Sequence, residues 1–238
     1  MITFIKEKNF YFSENAFPYG KKIIYLNPET YIYFRKKIHL IKNIDHVVFD
    51  GFFIIYLLRV FGIKIREQQS FDFSSLATPC FEFISNNRLN LFIIGATDDD
   101  LDYFKKTLIH RFPKLNIVGM HNGYFDVSNL DTINNIKKKI IETETNFILV
   151  GMGGIKQEIF TNQMTDLTNI TVFTCGAFIS QTRKSTNYFP KILKTLHLRW
   201  VIRFIREPKI IRRVISSYPQ LILFMTIDWI NSKKTRTI

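Results

Sequence analysis

The chain has 238 residues, of which 46% are hydrophobic and 15% aromatic, a balance that supports a sizeable core and excludes a disordered chain. Its two cysteines, Cys80 and Cys175, follow no metal spacing and fit a reducing compartment. The net charge of +13 points to an anionic partner or surface. No run reaches the roughly 18 apolar residues of a membrane-spanning helix, and the opening MITFIKEKNF lacks a signal-peptide core, so a cytoplasmic location is expected.

In chain order, the aromatic, mixed-charge stretch 1–19 reads as a strand or hairpin. Residues 22–26 read as a strand, and Asn27 caps a helix that opens at Pro28 and runs to about 41. The strand 47–49 ends at Asp50 and Gly51. Residues 52–60 are apolar almost throughout, as a core helix or strand would be, until Gly62. Residues 75–86 look helical. The strand 91–94 meets Gly95, and 98–110 is a helix with acids in its first turn and bases near its end. The strand 115–118 meets Gly119, and a helix follows over 130–143. The central junction comes next: the apolar run 147–150, then Gly151, Gly153 and Gly154, then a helix start at Lys156, Gln157 and Glu158. A last strand, 170–173, meets Cys175 and Gly176. Strands alternating with helices predict an α/β fold: a mostly parallel, Rossmann-like sheet with flanking helices.

The tail differs in kind. From 180 to 238 there are thirteen Lys and Arg against two acids, Glu207 and Asp228, so this segment carries +11 of the net +13. Arg199, Arg203 and Arg206 fall at helical spacing among apolar residues, and Pro208 separates them from Arg212 and Arg213. The chain is therefore expected to divide into an α/β domain, 1–179, and a basic helical appendage, 180–238, that serves an anionic interface or is a solvated face packed on the core. The apolar run 221–227 is a buried strand or a shallow anchor.

Candidate chemistry clusters where strands end, because an open parallel sheet binds ligands outside its carboxyl ends. Asp50 is a base or a turn aspartate. Gln157 can donate to and accept from a sugar or a base, and Lys156 can meet a phosphate. Glu158 reads as first-turn charge with a cap-like role. Asn122, beside His121 and Gly123, offers both a donor and an acceptor. The five histidines show no metal-ligand spacing, and Asp98 to Asp100 suit a helix start better than a metal motif. The glycines of 151–154 lack the third position of a dinucleotide fingerprint.

These residues resemble, in order over about 22–219, the WecG/TagA/CpsF glycosyltransferases, glycosyltransferase family 26. Asp50-Gly51 is similar to that family's Asp-Gly. Gly119 through Phe125 is similar to its G-x-x-x-GYF block, and GMGGIKQE from Gly151 to Glu158 to its G-x-G-x-P-K-Q-E. Trp200, Arg203, Glu207, Pro208 and Arg213 echo its C-terminal segment. Tyr25 stands where the family has Thr, Ile155 where it has Pro and Ser70 where it has Gly, and the family's Glu-Arg appears as Arg66-Glu67.

The resemblance implies an inverting, metal-independent transfer of a sugar, N-acetylmannosamine or another hexose, from a UDP-sugar donor to a lipid-diphosphate-linked sugar acceptor, with no cofactor, at the inner face of the cell membrane. It implies Asp50 as the catalytic base. Substrate contacts are then Asn27, Asn122, Gln157, Arg66, Arg203 and Arg213, and the partners are the two substrates and the membrane, without nucleic acid. Two other classes compete: a non-catalytic nucleic-acid or phosphate-binding module using the tail, and a nucleotide-dependent oxidoreductase. The apolar run 52–60 leaves both self-association and core open.

Overall fold

The computed structural model describes residues 1–12, 17–66, 68–184 and 209–234, without the side chains of 184 and 209–215. Six strands form one sheet: β1 (Lys22–Leu26), β2 (His46–Phe49), β3 (Asn90–Gly95), β4 (Asn116–His121), β5 (Phe147–Gly151) and β6 (Thr171–Thr174). Their order is β2-β1-β6-β5-β3-β4, and every pairing is parallel. Parallel strands need crossovers, which puts helices on both faces. The apolar runs of β1, β5 and β6 are accordingly buried throughout.

Alternation along each strand divides the core by face. Ile23, Tyr25, Ile93, Leu149 and Phe173 pack with α4 (Ala77–Asn86), α5 (Asp98–Arg111) and α8 (Phe178–Lys184). On the other face, Ile24, Leu26, Val47 and Phe49 pack with α1 (Ile2–Lys8), α2 (Pro28–Phe34) and α3 (Phe52–Val60). Phe92, Ile94, Ile148 and Val150 pack there with α6 (Leu130–Glu142) and α7 (Lys156–Gln163).

The last described helix, α9 (Lys209–Lys234), packs against α1 and α2 and buries Leu221 and Met225 in the same cluster. Asp228 on α9 fixes it, accepting from Arg35 Nε at 2.9 Å and from the Tyr31 hydroxyl at 2.9 Å. Phe53 and Phe61 of the α3 region face Tyr218 and Trp229 of α9, with ring centroids 4.2 and 5.7 Å apart. The two helices therefore run side by side in the same direction.

Four local expectations differ from the structure. The N-terminal segment is a helix, α1, followed by a single bridge from Asn9 to Val47, because Ile2 and Ile5 bury on one helical face. The helix after Asn27 ends at Phe34 and a 3-10 turn, Ile38–Leu40, follows. Residues 52–60 form a helix with both kinds of face: Ile54, Ile55, Leu57 and Leu58 are buried, while Phe52, Tyr56 and Val60, spaced by four, are exposed. The run 221–227 is helical; Leu221 and Met225 fall one turn apart and point inward, leaving Ile222, Leu223 and Ile227 outside. Among the described residues no helix is long and apolar enough to cross a membrane.

Candidate active site

Because all six strands point the same way, all their carboxyl ends share one edge. In sheet order that edge carries Asp50 after β2, Asn27 after β1, Gly176 after β6, the glycine turn and Gln157 after β5, Thr97 and Asp98 after β3, and Asn122 after β4. The four residues singled out from the sequence, Asn27, Asp50, Asn122 and Gln157, thus lie on one rim, but not in one knot. At about 4.8 Å per strand, Asp50 and Asn27 are one spacing apart and Gln157 leaves its strand three spacings from Asp50. Asn122 is five spacings away, on the order of 24 Å.

The chain leaves β3 through α5 on one face and leaves β5 through α7 on the other, and β3 and β5 are neighbours. That reversal makes this pair of strands the switch point of the sheet, the place where an open α/β sheet binds ligands. Glycine shapes it. A Cβ on Gly95 would lie 2.3 Å from the Gly151 carbonyl oxygen, and one on Gly123 would lie 2.9 Å from Gly95 Cα, so the three strand ends meet backbone to backbone. Gly153, at φ +80°, has open space around it, and α7 starts just beyond, with Lys156 in its first turn. Asn122, after β4, reaches the end of β3: its Nδ2 donates to the Asp98 carboxylate at 3.3 Å, and its Oδ1 accepts from the Tyr124 N–H.

Asn27 is the predicted cap. Its Oδ1 accepts from the Thr30 N–H at 3.0 Å, and Thr30 Oγ1 accepts from the Asn27 N–H at 2.9 Å, a reciprocal box that fixes the turn after β1.

Gln157 is 3% exposed and turned inward. Its Oε1 accepts from the Gly176 N–H at 3.1 Å, and its Nε2 donates to Glu158 Oε1 at 2.8 Å. It ties the glycine turn after β5 to the turn after β6. Glu158 differs from expectation: it is wholly buried, and its Oε2 has no hydrogen-bond partner among the described residues. Burial pushes its carboxyl up to about 7, against the pull of the Gln157 amide.

Asp50 sits where β2 ends and α3 begins, with Gly51 at φ +112° making the turn. Its Oδ1 accepts from Gln68 Nε2 at 3.0 Å and from Ser70 Oγ at 3.3 Å. Tyr25 and Tyr218 lie within electrostatic reach of it, and both phenols are raised, first by burial and then by Asp50. The Tyr25 hydroxyl is buried without a partner among the described residues. Arg66 is exposed, its guanidinium 5.4 Å from the Tyr11 ring centroid. Arg203 lies outside the described residues, and of Arg213 only the backbone is described, within α9.

Gln68 and Tyr218 were not singled out from the sequence, and Ser70 was noted only as a departure. The signal for the first and last was the long connection between α3 and α4, whose described residues form no helix or strand; connections that long are usually functional. Tyr218 had no local signal, since α9 brings it in from 168 positions along the chain.

Burial pushes both thiols, Cys80 and Cys175, up, which removes them as nucleophiles near neutral pH. Among the described residues no group of three or more His, Cys, Asp or Glu could hold a metal. A depression of about 320 Å³ between the ends of α4 and α5 lies at the amino edge of the sheet and holds none of these residues.

The chain is 28% identical over 203 residues to UDP-Gal:alpha-D-GlcNAc-diphosphoundecaprenol beta-1,4-galactosyltransferase of Shigella boydii, covering 84% of each. It is 23% identical over 208 residues to N-acetylglucosaminyldiphosphoundecaprenol N-acetyl-beta-D-mannosaminyltransferase of Staphylococcus aureus strain MW2, covering 82% of this chain and 75% of the relative. The model of the glycosyl transferase WecG/TagA/CpsF family matches residues 13–235, nearly the whole chain and every rim residue above. With that match lying across a parallel sheet whose carboxyl edge holds the Asp-Gly, GYF and KQE segments, this protein belongs to the glycosyl transferase WecG/TagA/CpsF family.

Proposed function

We propose that this glycosyltransferase moves a hexose from a UDP-sugar to a GlcNAc carried on a polyprenyl diphosphate, with inversion at the anomeric carbon and without a metal. The observation that carries this reading is the position of Asp50: at the carboxyl end of β2, one oxygen held by Gln68 and Ser70, on the rim shared with the glycine turn at β5. The two relatives differ in the sugar moved, galactose or N-acetylmannosamine, and share a diphosphoundecaprenol-linked GlcNAc acceptor and a β product. An α-linked nucleotide sugar gives a β product by one displacement.

The donor lies along the rim. Its uracil and ribose sit at the switch point between β3 and β5, beside Asn122, and its diphosphate faces the N–H groups that start α7. Its sugar reaches toward β1 and β2. The acceptor hydroxyl oxygen attacks the anomeric carbon and its proton passes to Asp50. The bond from that carbon to the diphosphate oxygen breaks, and its electron pair leaves with UDP. Loop amides and the arginines of the C-terminal segment meet the charge that grows on the leaving group. Gln157 acts by holding the β5 and β6 turns together. The basic tail, with α9, holds the enzyme against an anionic membrane at its cytoplasmic face, where a lipid-linked acceptor resides.

The test is direct. The purified protein is incubated with UDP-Gal, UDP-ManNAc and related donors and a lipid-diphosphate-GlcNAc acceptor, and UDP release is matched to a disaccharide-lipid product by mass. One donor should give product, Asp50→Asn should remove at least about a hundredfold of the turnover, and the new bond should be β. No product with any donor, or full turnover by Asp50→Asn, overturns the reading.

A further inference from the structure

A general base must present one oxygen to the hydroxyl it deprotonates. A carboxylate turns freely about its last bond, whose rotamer wells are broad, so something has to choose the oxygen. Three side chains on the rim make that choice. Gln68 Nε2 donates one hydrogen to Asp50 Oδ1 at 3.0 Å and the other to Ser70 Oγ at 3.2 Å. Ser70, which has a single hydroxyl hydrogen, spends it on the same Asp50 Oδ1 at 3.3 Å. The triangle is closed, and both donors converge on one oxygen. Among the described residues nothing donates to Oδ2.

We propose that Gln68 and Ser70 are positioning residues that lock Asp50 by Oδ1 and leave Oδ2 as the oxygen that receives the acceptor proton. The inference rests on Asp50 being the base and goes beyond it by naming the oxygen and the groups that select it. Both donors come from the connection 61–76, so this loop sets the aim of a carboxylate delivered by a different element, the end of β2. Removing them therefore frees the rotation, which lowers turnover without loosening the donor.

The experiment measures kcat and KM for the full chain acting on its best UDP-sugar and a lipid-diphosphate-GlcNAc acceptor. The set is wild type, Gln68→Ala, Ser70→Ala, the double variant, Ser70→Thr and Asp50→Asn, with thermal midpoints recorded for each. Each alanine variant should lose about tenfold in kcat with donor KM nearly unchanged. Ser70→Thr, which keeps the hydroxyl, should restore most of the loss. A double variant with wild-type kcat overturns the proposal, as do losses that follow the thermal midpoint or a Ser70→Thr variant no faster than Ser70→Ala. The two ideas separate cleanly. An inactive Asp50→Asn beside an unaffected double variant removes the clamp and keeps the base. An active Asp50→Asn, or an inactive wild type, removes the base and the clamp with it.

Discussion

The Tyr218 ring lies flat on Phe53, with 4.2 Å between centroids and 2° between planes. Phe53 is three residues past Asp50, so this stack joins the C-terminal helix to the edge that holds the base. An aromatic pair of this kind contributes about 0.5–1.5 kcal/mol beyond the area it buries. Tyr218→Phe should keep the stack, the thermal midpoint and most of the turnover. Tyr218→Ala should lower turnover more than stability, because it unpins α9 where the helix borders the site. Steady-state kinetics with calorimetry checks this, and equal turnover in both variants would detach Tyr218 from catalysis.

The other end of α9 is held by Asp228, whose carboxylate takes the Arg35 guanidinium and the Tyr31 hydroxyl, with the two charged side chains only 14% and 11% exposed. Deleting one partner of such a pair leaves the other charge stranded, which costs about 3–5 kcal/mol. Asp228→Ala should therefore destabilise the whole chain, since Leu221 and Met225 belong to the core of α1 and α2. Asp228→Asn, which keeps an acceptor for Tyr31, should cost less. Chemical denaturation of both variants decides it, and a loss under about 1 kcal/mol for Asp228→Ala would mean that the pair is screened as a surface ion pair is.

The sheet was legible because buried parallel strands are written as short apolar runs and their ends as glycines. The junction at Gly151 shows both marks, and Lys22–Leu26 the first. Asn27 was legible as a cap because a side-chain oxygen before Pro28 has one obvious use. What stayed hidden depends on partners far away in the chain. Glu158 looks like first-turn charge from its neighbours, and only the packing of α7 on the sheet buries it. The alternation of exposed and buried residues on α3 likewise needed α9 and the sheet to tell one face from the other. The clamp on Asp50 needed the return of residues 61–76 to the rim.

Helix ends give a stability prediction of the same kind. Helices α3, α4 and α6 each close with the pair of backbone bonds of a left-handed C-terminal cap, through Gly62, Arg88 and Glu144. Gly62 accepts that geometry freely. Arg88 at φ 54° and Glu144 at φ 49° carry side chains there, at about 1 kcal/mol each relative to glycine. Both are exposed. Arg88→Gly and Glu144→Gly should each raise the thermal midpoint by about 2–4 °C, and together they should add, since they lie on separate helices. A lowered midpoint would show that unfolded-chain entropy outweighs the relieved strain.

Glu158 makes stability depend on pH in an unusual direction. Its ordinary value is 4.5 and burial lifts it to about 7 in the folded chain. Between those two values the folded state holds a proton that the unfolded state has lost, so stability falls as pH rises through this window and the penalty is complete above it. A shift of that size corresponds to on the order of 3 kcal/mol. Glu158→Gln removes the titration while keeping an oxygen to accept from Gln157 Nε2. The variant should match wild type near pH 5 and exceed it by a growing margin toward pH 8, in urea midpoints taken at each unit. Parallel curves for the two proteins would show that the carboxyl is already solvated when charged. Gln157→Ala should not flatten the wild-type slope, because it strands the Gly176 N–H and removes the amide that favours the charged carboxylate, leaving Glu158 still more strongly protonated in the fold.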